Sequence, residues 1–295
     1  MIIDLSELTD GFSSKLRVIS YFLAVVIIKK LQKKVYIYEK KTIDAPFFFT
    51  DLCSIKQFKI SKLKKKPSSE IIFTPYNYSD AINLLKKKYF IRKEQNEKFN
   101  LISDLSYQNF TPNLKIRNKI KKIGLPNVFT GLHIRATDRE INIKNFIKKI
   151  QFKEMMFDFH IDHMIKNIIK HHTFKKLLKN TFICSDDINY KKKTINIFSP
   201  KLNIFFNDSK FNKKKHRQTN GIDFVTELFC LSRSQTIISN VGGNVVTTAY
   251  LLSNKKIKIY KWTEELNLFI ILKYLVLFIF GMKKFKNFII KKIFR

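Results

Sequence analysis

Short apolar runs that stop at small or polar loops, each leading into an amphipathic stretch, recur along the second half of this 295-residue chain. Strands are expected at 128–134, 181–184, 236–239 and 258–260, with further short apolar segments at 195–198 and 202–206. Between them the spacing predicts helices over 153–170, 223–231 and 245–252. Strands alternating with helices of this length call for a parallel sheet with helices on both faces. The front of the chain repeats the pattern. An apolar start at 2–5, a loop through Gly11 and Ser14, a helix over 16–31 and a strand at 35–38 make a βαβ unit. Its loop falls at the carboxyl end of the first strand, where ligands bind in such sheets. Ser13 or Ser14 is the expected N-cap.

Between these halves the pattern is weaker. Residues 47–49 and 71–73 read as short strands, and 78–98 and 114–123 as helices. Lys64-Lys65-Lys66 before Pro67-Ser68-Ser69 reads as an exposed loop, and Gly124-Leu125-Pro126 as the boundary between two units. The fold class expected is α/β, with two Rossmann-like domains, 1–125 and 126–265, facing across a cleft, and a terminal segment 266–295.

Charge narrows function less than its size promises. Lys and Arg number 57 against 23 Asp and Glu, a formal net charge of +34, which fits nucleic acid, an acidic membrane surface or a phosphorylated substrate. Yet the basic residues run from Lys29-Lys30 to Lys291-Lys292 instead of forming one stripe. Lys, Ile, Asn and Phe, all read from AT-rich codons, are abundant together, so compositional drift is the favoured explanation. A nucleic-acid-binding protein is the reading from another class. It would lose binding steeply with salt, and no helix-turn-helix, zinc or single-strand-binding signature supports it.

Cys53, Cys184 and Cys230 lie far apart in apolar runs, as small buried hydrophobes of a reducing compartment do, and form no zinc or disulfide pattern. The apolar run 18–28 is too short to span a bilayer and ends at Lys29-Lys30, so a cytoplasmic location is expected. Residues 266–295, apolar and then basic and aromatic, suit either a helix lying on an anionic membrane surface or a packed terminal helix with a basic tail.

Three loops that follow expected strands carry groups suited to a nucleoside diphosphate. In Gly131-Leu132-His133-Ile134-Arg135, alternation sends His133 and Arg135 to one face and Leu132 and Ile134 to the other. A guanidinium at Arg135 can hold two phosphate oxygens at once, or pair structurally with Asp138. Ser185-Asp186-Asp187 puts two carboxylates together, but no further acidic cluster completes a metal site. They read as an N-cap for the next segment or as hydrogen-bond acceptors for a ribose or base. Asp208 can accept the two edge N–H groups of guanine, or close a turn. Gly242-Gly243-Asn244 opens a helix, and two adjacent glycines in a chain with only 7 allow close approach of backbone N–H groups to a phosphate.

The order of these pieces resembles the fucosyltransferase-like superfamily: the core α-1,6 enzymes, the nodulation fucosyltransferases and the protein O-fucosyltransferases. His133-Ile134-Arg135-Ala136-Thr137-Asp138-Arg139 is similar to the family's His-x-Arg-Arg-Thr-Asp-Lys signature, and Cys184-Ser185-Asp186-Asp187 to its strand-ending Thr-Asp-Asp. Phe206-Asn207-Asp208-Ser209 resembles the strand that ends in the guanine-binding aspartate. Residues 223–253 resemble the closing helix, strand, turn and helix, and Gly11-Phe12-Ser13-Ser14-Lys15-Leu16-Arg17 the first glycine loop.

The resemblance implies a GT-B-like fold and inverting transfer of fucose or a related sugar from GDP-fucose to a glycan or lipid-linked hydroxyl, with no metal or other cofactor. It implies that Arg135 binds the diphosphate and assists its departure. Gly11, Ser13, Ser14, His133, Ser185, Asp186, Asp187, Asp208, Gly242, Gly243 and Asn244 would surround the donor. Glu140 is carried as the catalytic base, although the favoured reading of both it and Glu154 is a solvated helix residue. Two departures stand out: the second signature arginine is Ala136, and the closing Ser-Ser is Gly242-Gly243. A relative that binds the donor without turnover is the alternative these departures raise.

Overall fold

The structure, a computed structural model, describes residues 2–6, 11–30, 34–41, 47–56, 59–63, 65, 96–135, 161, 164–209, 220–240 and 243–262. Strand β1 (Ile2–Asp4), helix α1 (Phe12–Ile28) and strand β2 (Lys34–Tyr38) form the βαβ unit at the front. Strands β3 (Cys53–Ile55) and β4 (Lys59–Lys62) follow, and β4 joins β2 to give a parallel sheet in the order β1-β2-β4. Helix α2 (Asn96–Ser106) packs along α1, and β5 (Phe110–Pro112) pairs antiparallel with β3.

Helix α1 is buried on almost every side, which is why it reads as a nearly continuous apolar run. Its one buried cation, Lys15, meets Glu39 at 3.0 Å with both side chains fully enclosed. A charge pair so placed must stay paired, since either member alone would be stranded without water.

Helix α3 (Leu114–Ile123) is closed at both ends by its own sequence. The Asn113 side chain accepts a bond from the Ile116 N–H at 2.9 Å, and Gly124 ends the helix in the left-handed region at φ 67°. A side chain at that φ would strain the backbone, which accounts for the glycine.

The second sheet holds β6 (Thr130–Ile134), β7 (Asn180–Ser185), β8 (Asn203–Phe206), β9 (Thr236–Ser239) and β10 (Lys258–Lys261), all parallel. Helices α4 (His172–Leu177), α5 (Ile188–Phe198), α6 (Gly221–Leu231) and α7 (Asn244–Leu252) connect them. The spatial order is β10-β9-β6-β7-β8. The chain starts at the centre, winds outward through β7 and β8, then returns to the other side of β6. Alternation along the strands sorts the two faces. Leu132, Ile134, Ile183 and Ile238 pack with Phe174 of α4 and Phe198 of α5. Phe182, Cys184 and Ile237 face α6 and α7, and belong to the same hydrophobic cluster as Ile3, Val35 and Ile37 of the first sheet.

Gly131 lies on that second face, where a Cβ would sit 2.5 Å from Leu231 Cδ2. We expect Gly131→Ala to destabilise the fold by about 1–3 kcal/mol through overpacking, read as a lowered denaturation midpoint with an unchanged slope.

Several expectations need correction. Residues 47–49 form no strand; Phe49 opens a single 3-10 turn and its ring packs on Phe12 and Phe110, so the aromatic run serves core contacts. Neither Ser13 nor Ser14 caps α1. The helix begins earlier, with Gly11 at the N-cap and no side-chain cap bond, and both serines lie in its first turn. Residues 195–198 are the end of α5. Residues 71–73, the first part of 78–98 and the terminal segment 266–295 lie outside the described residues. Among the described residues, no helix is long and apolar enough to cross a membrane. All three cysteines are free and buried, and burial pushes the Cys230 thiol up to about 12.

Candidate active site

In an open parallel sheet, the loops leaving the central strands to opposite sides part at the carboxyl end and leave a crevice. Here that point lies between β6 and β9. An open cleft occupies it, and α1 of the first sheet forms the opposite wall.

The β6 end contributes His133 and Arg135, which leave the strand on the side facing the cleft. His133 is 6% exposed, and its Nδ1 lies 2.9 Å from Ser239 Oγ on β9, which fixes the ring against the sheet. Arg135 is half-buried. Its main-chain N–H donates to Asn240 Oδ1 at 3.0 Å, and its carbonyl accepts from Asn240 Nδ2 at 3.1 Å. A Cβ on Gly243 would lie 3.4 Å from an Arg135 guanidinium nitrogen, which is ordinary contact, so the start of α7 lies against this cation.

The β7 end contributes Cys184, Ser185 and Asp186. Asp187, expected beside a donor, is instead committed to α5. Its Oδ1 accepts from the Asn189 and Tyr190 N–H groups at 2.8 and 3.1 Å, and Asp187 does not line the cleft. Ser185 Oγ accepts from the Asp187 N–H at 3.1 Å, completing this tight exit.

Two helix N-termini open on the same space: α7, through Asn244 and Val245, and α1, through Gly11, Phe12, Ser13 and Ser14. The first N–H groups of a helix have no partner within it and mark the positive end of its dipole. Ser13 is 5% exposed, and its hydroxyl is buried without a hydrogen-bond partner. Arg135, His133 and the α7 end on one wall, with the α1 end opposite, surround the cleft with hydrogen-bond donors, the chemistry that receives a diphosphate.

Asp208 is exposed on the loop after β8 and does not line the cleft. Gly242 and Glu140 lie outside the described residues, as does Glu154. Among the described residues, no three His, Cys, Asp or Glu side chains gather as a metal-binding group.

The structure adds residues that sequence reading passed over. Glu227 of α6 lines the cleft and is buried. It receives Lys191 Nζ of α5 at 2.6 Å, and that ammonium also donates to the Asn207 carbonyl at 2.7 Å and to Ser209 Oγ at 3.1 Å. Ser209 in turn donates to Glu227 at 3.0 Å, so the pair grips both flanks of Asp208. Burial raises the Glu227 carboxyl above its ordinary range, and Lys191 opposes that rise. The available signal was an acid within the apolar run of α6, four residues after Asp223. Phe12, Phe224, Leu228 and Leu231 supply the apolar part of the cleft.

No family model and no curated protein sequence matches the chain. Its fold does match solved structures. It is similar to the NodZ alpha-1,6-fucosyltransferase co-crystallized with GDP, at 14% identity and TM-score 0.51, over 85% of this chain and 92% of that one. The same enzyme soaked with GDP-fucose matches at 13% identity and TM-score 0.50 over the same shares. POFUT1 in complex with GDP matches at 10% identity and TM-score 0.50, over 88% of this chain and 97% of that one. At such identities the likeness establishes the fold alone: the chain has a GT-B-like α/β architecture.

Proposed function

We propose that this chain, built on the fold of the fucosyltransferases, binds a GDP-sugar in the cleft between its two parallel sheets and transfers the sugar, fucose in the first instance, to a hydroxyl of a glycan or lipid-linked acceptor. The observation that carries this reading is convergence. Arg135, His133 and the N-termini of α1 and α7 meet at the point where β6 and β9 part.

In this reading the diphosphate lies against Arg135, Gly242 and the Gly243–Asn244 start of α7. Ser185 and Asp186 take the ribose, the guanine edge reaches past the cleft to the exposed Asp208, and Gly11, Ser13 and Ser14 close the side of the first sheet. Transfer is inverting. The acceptor oxygen bonds to the anomeric carbon from the face opposite GDP, and the bond from that carbon to the β-phosphate oxygen breaks. The electron pair leaves with GDP, where the Arg135 cation meets the growing charge. The acceptor proton passes to a base, for which Glu140 is the proposed residue. The reaction needs no metal, so excess EDTA leaves the rate unchanged. The protein works in the cytoplasm, with residues 266–295 as its contact to an anionic membrane face.

Calorimetric titration with GDP, GDP-fucose, UDP and CMP at moderate salt tests the donor site. GDP and GDP-fucose are expected to bind at least about tenfold more tightly than the pyrimidine nucleotides, since a site that bonds the guanine edge leaves polar groups unpaired with any other base. Equal weak binding of all four that fades as salt rises would mean that net charge alone attracts them, and the reading would fall.

A further inference from the structure

We propose that Asn240 is a positioning residue for Arg135, holding its main chain where the sheet no longer can. The inference rests on the reading of Arg135 as the diphosphate ligand. The β6–β9 ladder runs from Thr130↔Thr236 to His133↔Ser239, and the β6–β7 ladder ends at Ile134↔Ser185. Arg135 is therefore the first residue after β6, beyond the reach of both neighbouring ladders, at the point where strands must diverge to open the cleft. A main chain released there would let its side chain wander.

Asn240, 1% exposed and the first residue after β9, supplies what the ladder stops giving. Its amide accepts from the Arg135 N–H at 3.0 Å and donates to the Arg135 carbonyl at 3.1 Å. One planar carboxamide thus copies the paired donor and acceptor of a neighbouring strand. No other short side chain offers both. Aspartate has two acceptors and would set an oxygen against the Arg135 carbonyl, while a serine or threonine hydroxyl cannot reach both groups.

Three residues on, Gly243 at the N-cap of α7 lies against the Arg135 guanidinium. Asn240 therefore sets the spacing between two elements that grip one anion, the guanidinium and the α7 N-terminus.

The test is a double-mutant cycle read on GDP affinity, with melting temperature recorded alongside. Asn240→Asp, which keeps the acceptor and loses the donor, and Asn240→Ala, which loses both, are each made alone and with Arg135→Ala. In the wild-type background each is expected to weaken GDP binding about tenfold. In the Arg135→Ala background the main chain is still clamped, so the loss of melting temperature recurs but the further loss of affinity vanishes. Equal affinity losses in both backgrounds would reduce Asn240 to a general structural part and overturn the proposal.

A second readout needs no ligand. By NMR, the Arg135 amide hydrogen is expected to exchange at least about tenfold faster in Asn240→Ala than in wild type. Unchanged exchange would overturn the clamp itself. Should the wild-type protein bind no guanine nucleotide, the donor reading fails, and this amide measurement still decides whether Asn240 holds Arg135.

Discussion

Replacing Arg135 with alanine is expected to lower the transfer rate by about 10²–10³-fold, the scale set by removing one preorganised donor from a developing negative charge. Affinity for GDP should fall by about 10–100-fold, since a charged hydrogen-bonding group of this kind contributes roughly 1.5–3 kcal/mol. The loss should be confined to the site. Arg135 lies at the end of β6 with its side chain half-exposed toward the cleft, so the melting temperature should change little. Steady-state kinetics, calorimetry and a thermal scan on one preparation check all three. Unchanged rate and affinity would remove Arg135 from the mechanism.

The second large effect concerns the fold beneath the site. Lys191→Met should destabilise the protein by about 3–5 kcal/mol, because it strands Glu227 as a buried carboxylate without its cation. Lys191 is 2% exposed and Glu227 6%, so water cannot take over the lost bonds. The deficit should also depend on pH. Burial already raises the Glu227 carboxyl, and without Lys191 nothing comparable opposes the rise. A carboxyl whose folded value lies above its unfolded value favours the folded state while protonated, and that advantage is lost as pH rises through the folded value. The variant should therefore lag wild type less at about pH 5 than at about pH 8. Adding Glu227→Gln should recover most of the loss, since the glutamine still accepts from Ser209 and carries no charge. Denaturant melts of the three proteins at both pH values decide it, and a deficit that ignores both pH and Glu227→Gln would place the role of Lys191 elsewhere.

Much of the second sheet was legible in the sequence because its inner strands β6, β7 and β9 are buried on both faces and their exits are polar. The run at 236–239 became β9 with the same bounds, and 114–123 became α3 because Asn113 and Gly124 mark its ends. The cleft was legible where polar residues follow strands or open helices: His133, Arg135, Ser185, Asp186 and Asn244 all line it. What escaped depended on long-range partners. Asp187 and Asp186 are adjacent identical residues, and only the geometry of the β7 exit gives one to the helix cap and the other to the cleft. The partnership of Lys191 with Glu227 spans 36 residues, and that of Asn240 with Arg135 spans 105. No local pattern announces either. The aromatic run at 47–49 misled because high strand propensity also describes a residue that only fills a core.

The hydrophobic cluster shared by the two sheets bears on modularity. Phe12 of α1 packs its ring edge on Phe224 of α6, Gln108 donates to the Leu251 carbonyl of α7 at 2.8 Å, and Lys119 of α3 reaches Asp223 of α6. The front half and the back half are thus cast together along a seam of α1, α3, α6 and α7, not joined by a linker. A chimera that takes its front half from another protein of this fold would inherit a mismatched seam unless these four helices travelled as a set. For the same reason, new specificity in such a chain is more readily grown from the loops at the rim of the cleft than transplanted with a whole half.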